Sequence, residues 1–205
     1  MLSVYRRPYP FEESTALPVK SSATELLKAE KQEKALPPFV SASSSSVEEG
    51  IAYHAFLQYV RFGQDVTKEL VRMAESGLLS KEQIAILKAE RLEGILSLPS
   101  LKGLENKFIW REQTFLLRLT AREIGLGESD DTIVLQGAID LLVSDESGYT
   151  VLDYKYSVRS DEEIKKTYAP QIAIYRRAVA KVMGVSPEKV RARILNILQL
   201  REIEV

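Results

Sequence analysis

Three charged residues interrupt an apolar stretch in the middle of the chain. Leu135–Ser157 reads LQGAIDLLVSDESGYTVLDYKYS; Asp140 breaks one apolar run, and Asp153 and Lys155 lie two apart near the end of the next. Side chains two apart on a strand point to one face, so Asp153 and Lys155 project together. Two carboxylates beside one ammonium suit a hard, oxygen-preferring divalent ion such as Mg²⁺. The same residues could instead be structural, with Asp140 capping a strand end and Asp153–Lys155 forming a surface ion pair.

Whether the carboxylates meet depends on register. Val134, Ile139, Leu141, Leu142 and Val143 form the first apolar run, and Tyr149, Val151, Leu152 and Tyr154 the second. Asp145-Glu146-Ser147-Gly148 between them is a turn cluster, which predicts a β-hairpin. A turn symmetric about the Glu146–Ser147 bond sets Asp140 opposite Asp153, with Cβ atoms about 4.5–5.5 Å apart. A three-residue loop with a glycine bulge would set Asp140 opposite Tyr154 and send the carboxylates to opposite faces. Only the first register serves a shared ion directly.

The flanking elements must hold this hairpin. Residues 1–20 are proline-rich and aperiodic. Ser22-Ala23-Thr24-Glu25 has the form of a capping box, predicting a short helix to about Glu33, and Leu36–Ser46 reads as a Pro/Ser linker. From Val47 to about Phe62 the period is helical. His54, the only histidine, falls on or beside the apolar stripe; histidine there is either a hydrogen-bonded core residue or a ligand. Two further helices are predicted over Asp65–Ser76 and Ser80–Leu98, the second opened by a Ser80-x-x-Gln83 capping box, with a short helical turn to Glu105. From Lys107 the period becomes that of a strand, which carries Glu112, and the loop 125–131 follows it. After the hairpin, Ser160-Asp161-Glu162-Glu163 opens a helix that Pro170 is expected to reset. Tyr168, Gln171 and Tyr175 share one face of it, Gly184 ends it, and Val190–Leu198 is a final strand. Helices, three strands, helix and strand make a mixed α/β sheet flanked by helices, with a helical part ahead of it.

Composition narrows the chemistry. The chain has 205 residues, 45% hydrophobic and 28% charged, as for one substantial globular unit. A formal net charge of −1 leaves only a local basic face for any nucleic acid. Without cysteine, disulfides, thiolate-bound zinc and cysteine-ligated iron–sulfur clusters are excluded, which fits a cytoplasmic location. There is no apolar run of about 18 residues for a membrane span, no signal-peptide core, and no Walker A motif for an ATP-driven motor within the chain.

GAIDLL, 12 intervening residues between the aspartates, DYK, and then Q-x-x-x-Y on a helix resemble the RecB-like branch of the PD-(D/E)XK nucleases. GIAYHAFLQYV resembles that branch's glycine-and-histidine helix and WREQTF its glutamate strand. The early YPF and LPVKSSATELL resemble the part just ahead of the nuclease domain in AddA-type subunits of bacterial helicase–nucleases. The resemblance implies a restriction-endonuclease-like core, with residues 1–46 an extended segment and linker, and 47–205 the nuclease domain. Within that domain, 47–106 would be helical and 107–205 the sheet core. It also implies an excised C-terminal module with the motor upstream. Where the family often has threonine after DYK, this chain has Tyr156.

The resemblance further implies site roles. His54, Asp140 and Asp153 would bind the metal with the Tyr154 carbonyl; the ion would be Mg²⁺, with Mn²⁺ a possible substitute and no iron–sulfur cluster. Lys155 would orient the attacking water and stabilise charge on the phosphoryl oxygens. Glu112 would assist nearby, and Gln171 and Tyr175 would support the site or touch the DNA backbone. The expected function is a metal-dependent DNA exonuclease in double-strand break repair. Its expected partners are DNA and a second, AddB-like subunit, with no membrane. The alternatives are a nuclease fold that only binds DNA or a partner, and a stand-alone RecB-like nuclease.

Overall fold

A computed structural model of the chain describes residues 20–22, 44–120, 122–124 and 130–205. Four helices come first: α1 (Ser44–Tyr59), α2 (Val66–Glu75), α3 (Lys81–Ile86) and α4 (Ala89–Leu96). Local signals set several of their ends. The Asp65 side chain accepts the Lys68 N–H at the start of α2, and the Ser80–Gln83 capping box closes at α3. Then come strands β2 (Phe108–Thr120), β3 (Thr132–Asp145) and β4 (Gly148–Lys155), helix α5 (Asp161–Met183), and strands β5 (Val190–Asn196) and β6 (Arg201–Glu204). A short strand β1 (Lys20–Ser22) precedes them all.

The described strands form one mixed sheet, the α/β architecture predicted from the pattern. Its order is β1-β3-β4-β5-β6, with β2 along the other edge of β3. β1 runs parallel to β3 and β4 parallel to β5; the remaining pairs are antiparallel. One face packs on α1, α2 and α4 through Phe56, Leu57, Leu92, Leu141, Leu152 and Leu195. The other packs on α5 through Ile139, Leu142, Val151, Ile172, Val179 and Ile194. Alternate residues of β4 thus enter different cores, as a strand buried on both faces requires.

The hairpin takes the expected register. Asp145 pairs with Gly148 and Leu141 with Leu152, the register of the symmetric turn, and the ladder stops there, one pair short of 140 and 153. Gly148 has φ +110°, whereas Glu146 and Ser147 keep negative φ. Asp145 secures the turn by accepting the Ser147 N–H and pairing with Lys107 of the segment entering β2.

Several element boundaries differ from the sequence reading. The helix predicted from Val47 begins at Ser44, so Ser44–Ser46 belong to its opening turn; the predicted 22–33 helix and the rest of the linker lie outside the described residues, except Ser22, which ends β1. The single helix predicted over Ser80–Leu98 is two, because Leu87 and Lys88 are extended. There the buried Leu87 enters the core while the Lys88 N–H donates to the Tyr53 hydroxyl, a tertiary partner invisible to helical periodicity. Pro170 does not reset its helix: α5 runs through it. Pro170 and Lys166 are both exposed, so water can serve the Lys166 carbonyl that the missing N–H leaves unpaired. The final strand ends at Asn196, and β6, with only Ile203 buried, is too short to show a period.

One irregularity shapes the centre. Ile139 packs on the α5 side, but Leu141, two residues on, packs on the α1 side. On β2, Phe115 packs on the α5 side whereas Ile109 packs on the α1 side and Arg111 lies over the Phe62 ring. The ladder pairs Arg111 with Leu141 and Gln113 with Ile139, skipping Glu112 and Asp140. Glu112 has φ +48°. Both strands therefore change face at Glu112 and Asp140, and a residue in left-handed backbone geometry makes that change possible.

Three residues before the switch, Gly137 leaves room for a ring pair. A Cβ there would lie 2.6 Å from Cζ of Phe115 and 3.3 Å from Cε1 of Tyr175, whose rings meet edge to face at 5.6 Å. Gly137→Ala is expected to destabilise the protein by about 1–3 kcal/mol, with part of the loss recovered by adding Phe115→Leu. Thermal melts of the single and double variants check this; an unchanged melting temperature for Gly137→Ala would contradict it.

Candidate active site

β4 leaves β3 after the Leu141–Leu152 pair but stays beside β5 to Lys155. Beyond that point the edge of β3 is taken instead by β1, at Val134–Gln136. The sheet is thus forked, and the charged residues of the sequence motif line the fork. Asp153 and Lys155 face α5, while the Tyr154 ring faces α1 and meets the His54 ring edge to face at 5.6 Å.

The backbone of Tyr154 ties the fork together. Its N–H donates to Asp140 Oδ2 at 2.6 Å, in place of the ladder bond that β3 no longer offers. Its carbonyl lies 3.1 Å from His54 Nε2. A carbonyl can only accept, so Nε2 carries the proton and Nδ1 presents a lone pair. That Nδ1 is 4.0 Å from Asp140 Oδ2. Lys155 is ion-paired with Asp153.

Burial dominates the electrostatics. It pushes Asp140 up to about 6 against the opposing pull of Lys155 and the Tyr154 amide, with Glu112 adding to the rise. Burial also pushes Asp153 up to about 6, again against Lys155, and the charge of Asp140 adds to it. His54 is held below its usual value, first by burial and then by Lys155, so its ring is neutral near pH 7. Asp153 is 1% exposed, and its Oδ2 is held by the Lys155 ammonium.

The remaining predicted residues are also placed here. Glu112 stands at the face switch beside Asp140, half-buried, with its carboxyl raised by burial. Gln171 and Tyr175 are buried, and the Gln171 amide donates to the Tyr175 hydroxyl at 2.6 Å. That burial favours a supporting place for the pair over contact with a DNA backbone.

Three neighbours were not picked out as site residues from sequence. The Tyr156 ring stacks on Tyr53 at 5.6 Å and its hydroxyl bonds Glu49. Its Cβ lies 3.3 Å from where a Cβ at position 50 would stand, so Gly50 lets β4 approach α1 closely. Arg111 donates to the Val60 carbonyl at 2.6 Å and lies over the Phe62 ring. Tyr168 places its ring 4.7 Å from Lys155 Nζ. Only Tyr168 carried a local signal, sharing a helical face with Gln171 and Tyr175.

Among the described residues no three His, Asp or Glu side chains are already gathered as a metal cage. Asp140 is turned to the Tyr154 amide and Asp153 to Lys155. The donor types nevertheless fit a hard divalent ion: two carboxylates, a neutral imidazole lone pair and a carbonyl. A lone-pair nitrogen 4.0 Å from a carboxylate oxygen is an arrangement that a cation between them would relieve.

The family model of the PD-(D/E)XK nuclease superfamily matches residues 26–204. The chain is 29% identical to an AddA-type ATP-dependent helicase/nuclease subunit from Thermoanaerobacter sp. (strain X514), covering 86% of this chain and 17% of that protein. It is 26% identical to a protein of the same description from Bacillus cereus (strain AH187), over 84% of this chain and 17% of the relative. A relative from Bacillus cytotoxicus is 25% identical over 88% of this chain and 18% of its own length. The chain therefore spans less than a fifth of these relatives. With most of its length matched by the family model, the chain belongs to the PD-(D/E)XK nuclease superfamily.

Proposed function

We propose that this chain is the nuclease module of an ATP-dependent helicase–nuclease and hydrolyses DNA phosphodiester bonds as a metal-dependent exonuclease. The observation that carries the reading is the Tyr154 backbone, its N–H held by Asp140 and its C=O by His54, beside the buried Asp153–Lys155 pair. In the whole protein the activity would serve recombinational repair of double-strand breaks, in the cytoplasm, with an AddB-like second subunit.

His54, Asp140, Asp153 and the Tyr154 carbonyl would hold Mg²⁺, or Mn²⁺ in its place. A bound divalent ion supplies Lewis acidity that eases water ionisation and offsets charge on the scissile phosphate. Lys155 holds the attacking water in line and donates to a phosphoryl oxygen as negative charge builds there. Asp153 keeps the Lys155 ammonium at the site. Glu112 adds a carboxylate close to Asp140, and the Gln171–Tyr175 pair supports the α5 side. A direct test is labelled single-stranded DNA with and without Mg²⁺ or Mn²⁺, in linear and circular form. Metal-dependent degradation of the linear strand alone is expected; binding with no metal-dependent cutting would refute the reading.

Lys155→Ala is expected to slow cutting by about 10²–10³-fold, the usual loss for removing an electrostatic stabiliser. Its Mg²⁺-induced rise in melting temperature should persist, because lysine is not a ligand. Asp153→Ala should lose both. Wild-type turnover by Lys155→Ala would remove Lys155 from the chemistry.

Asp140 ties function to stability. A carboxyl raised on folding contributes stability that is full below its unfolded pKa, near 3.8, and is lost as pH rises through about 6. At pH 7.5 without metal the ionised Asp140 is therefore a cost. Asparagine keeps an oxygen for the Tyr154 amide, so Asp140→Asn in EDTA should be more stable than wild type by about 1–3 kcal/mol. The advantage should shrink towards pH 4.5. Millimolar Mg²⁺ should raise the melting temperature of wild type and much less that of the variant, since an ion bound only when folded stabilises the fold. Thermal melts at the two pH values, each with EDTA and Mg²⁺, check this; a destabilised Asp140→Asn with an undiminished Mg²⁺ response would mark Asp140 as structural.

A further inference from the structure

Lys155 has two identified contacts in the fork. One is the Asp153 carboxylate; the other is the face of the Tyr168 ring, 4.7 Å from Nζ to the centroid. The two hold an ammonium differently. A carboxylate neutralises the charge and draws N–H donors toward its oxygens. A ring face attracts the cation through its quadrupole at separations up to about 6 Å and leaves donors free. Asp153 would also be shared with the metal, which weakens its hold on Lys155. Tyr168 has no such competing demand.

Tyr168 meets Lys155 through its ring. It stands on α5 one turn before Gln171, whose bond to Tyr175 fixes the next turn against the sheet. Tyr168 is half-buried, with its ring turned to Lys155, so the ammonium meets an aromatic face as well as the Asp153 carboxylate.

We propose that Tyr168 is the positioning residue for Lys155, its ring face holding the ammonium in the fork with N–H donors free for a phosphoryl oxygen. The proposal rests on the nuclease reading of the site. It makes the ring, rather than the hydroxyl, the group that matters.

The test compares Tyr168→Phe and Tyr168→Leu in the full 205-residue chain. With labelled single-stranded DNA and Mg²⁺, Tyr168→Leu is expected to lose about tenfold in kcat, in line with one lost cation–π contact. KM and the Mg²⁺-induced rise in melting temperature should stay as in wild type, and Tyr168→Phe should cut at close to the wild-type rate. A second readout does not depend on cutting. In ¹³C-lysine-labelled protein the Lys155 ε-methylene, assigned by its loss in Lys155→Arg, should show an upfield ring-current shift in wild type and Tyr168→Phe, lost in Tyr168→Leu. Wild-type kcat in Tyr168→Leu, an equal loss in Tyr168→Phe, or no ring-current shift in wild type would overturn the positioning role alone. A wild type with the shift but no metal-dependent cutting would overturn the nuclease reading, and the positioning role with it.

Discussion

The site depends on the backbone of one residue, Tyr154, whose N–H and C=O the sheet does not use in a continuous β3–β4 ladder. At Tyr154, β4 has parted from β3, so its N–H and C=O need other partners. Asp140 takes the N–H and His54 the C=O. The fork is stable because both groups are satisfied by side chains, and those side chains are thereby fixed in place. A continuous ladder would satisfy the backbone equally well, but would leave neither an acid nor an imidazole directed to this point.

Around that residue the protein concentrates charge where water is scarce. Helices on both faces of the sheet remove solvent, and the first effect on Asp140, Asp153 and His54 is to disfavour their charged forms. Lys155 runs against that trend: although burial opposes its charge, Asp153 and Asp140 together hold its pKa above the ordinary lysine value. One persistent cation among acids that are easily protonated is a cluster short of positive charge at neutral pH. That imbalance gives a divalent cation a favourable place to bind.

The helical layer is joined to this cluster by close packing. Tyr156 follows Lys155 directly, stacks on Tyr53 beside His54, and bonds Glu49 one turn earlier in α1. A bulkier residue at Gly50 would meet the Tyr156 side chain at the root. The tyrosine that departs from the family's common threonine therefore serves as a contact between the histidine helix and the lysine strand. On the other side, Glu112 accepts a left-handed backbone so that β2 and β3 can change face together.

Sequence alone determined what depends on local spacing. The alternation in β2, β3 and β4, the tight turn at Asp145–Gly148 and the capping box of α3 were legible because each is satisfied within a few residues. The motif residues were legible because charges inside apolar strands are costly enough to need a reason. What local patterns could not carry was decided by distant partners. β1 exists because Lys20–Ser22 finds the edge of β3, the break at Leu87–Lys88 because of the core and the Tyr53 hydroxyl, and the unbroken α5 because Pro170 happens to face solvent. The site shows the same division. Spacing placed Asp153 beside Lys155. Only the fold could open β4 from β3, bring His54 from a hundred residues away to the Tyr154 carbonyl, and turn Tyr168 onto Lys155. Those contacts come from packing α1 and α5 on opposite faces of one sheet, and no period along the chain records which faces will meet.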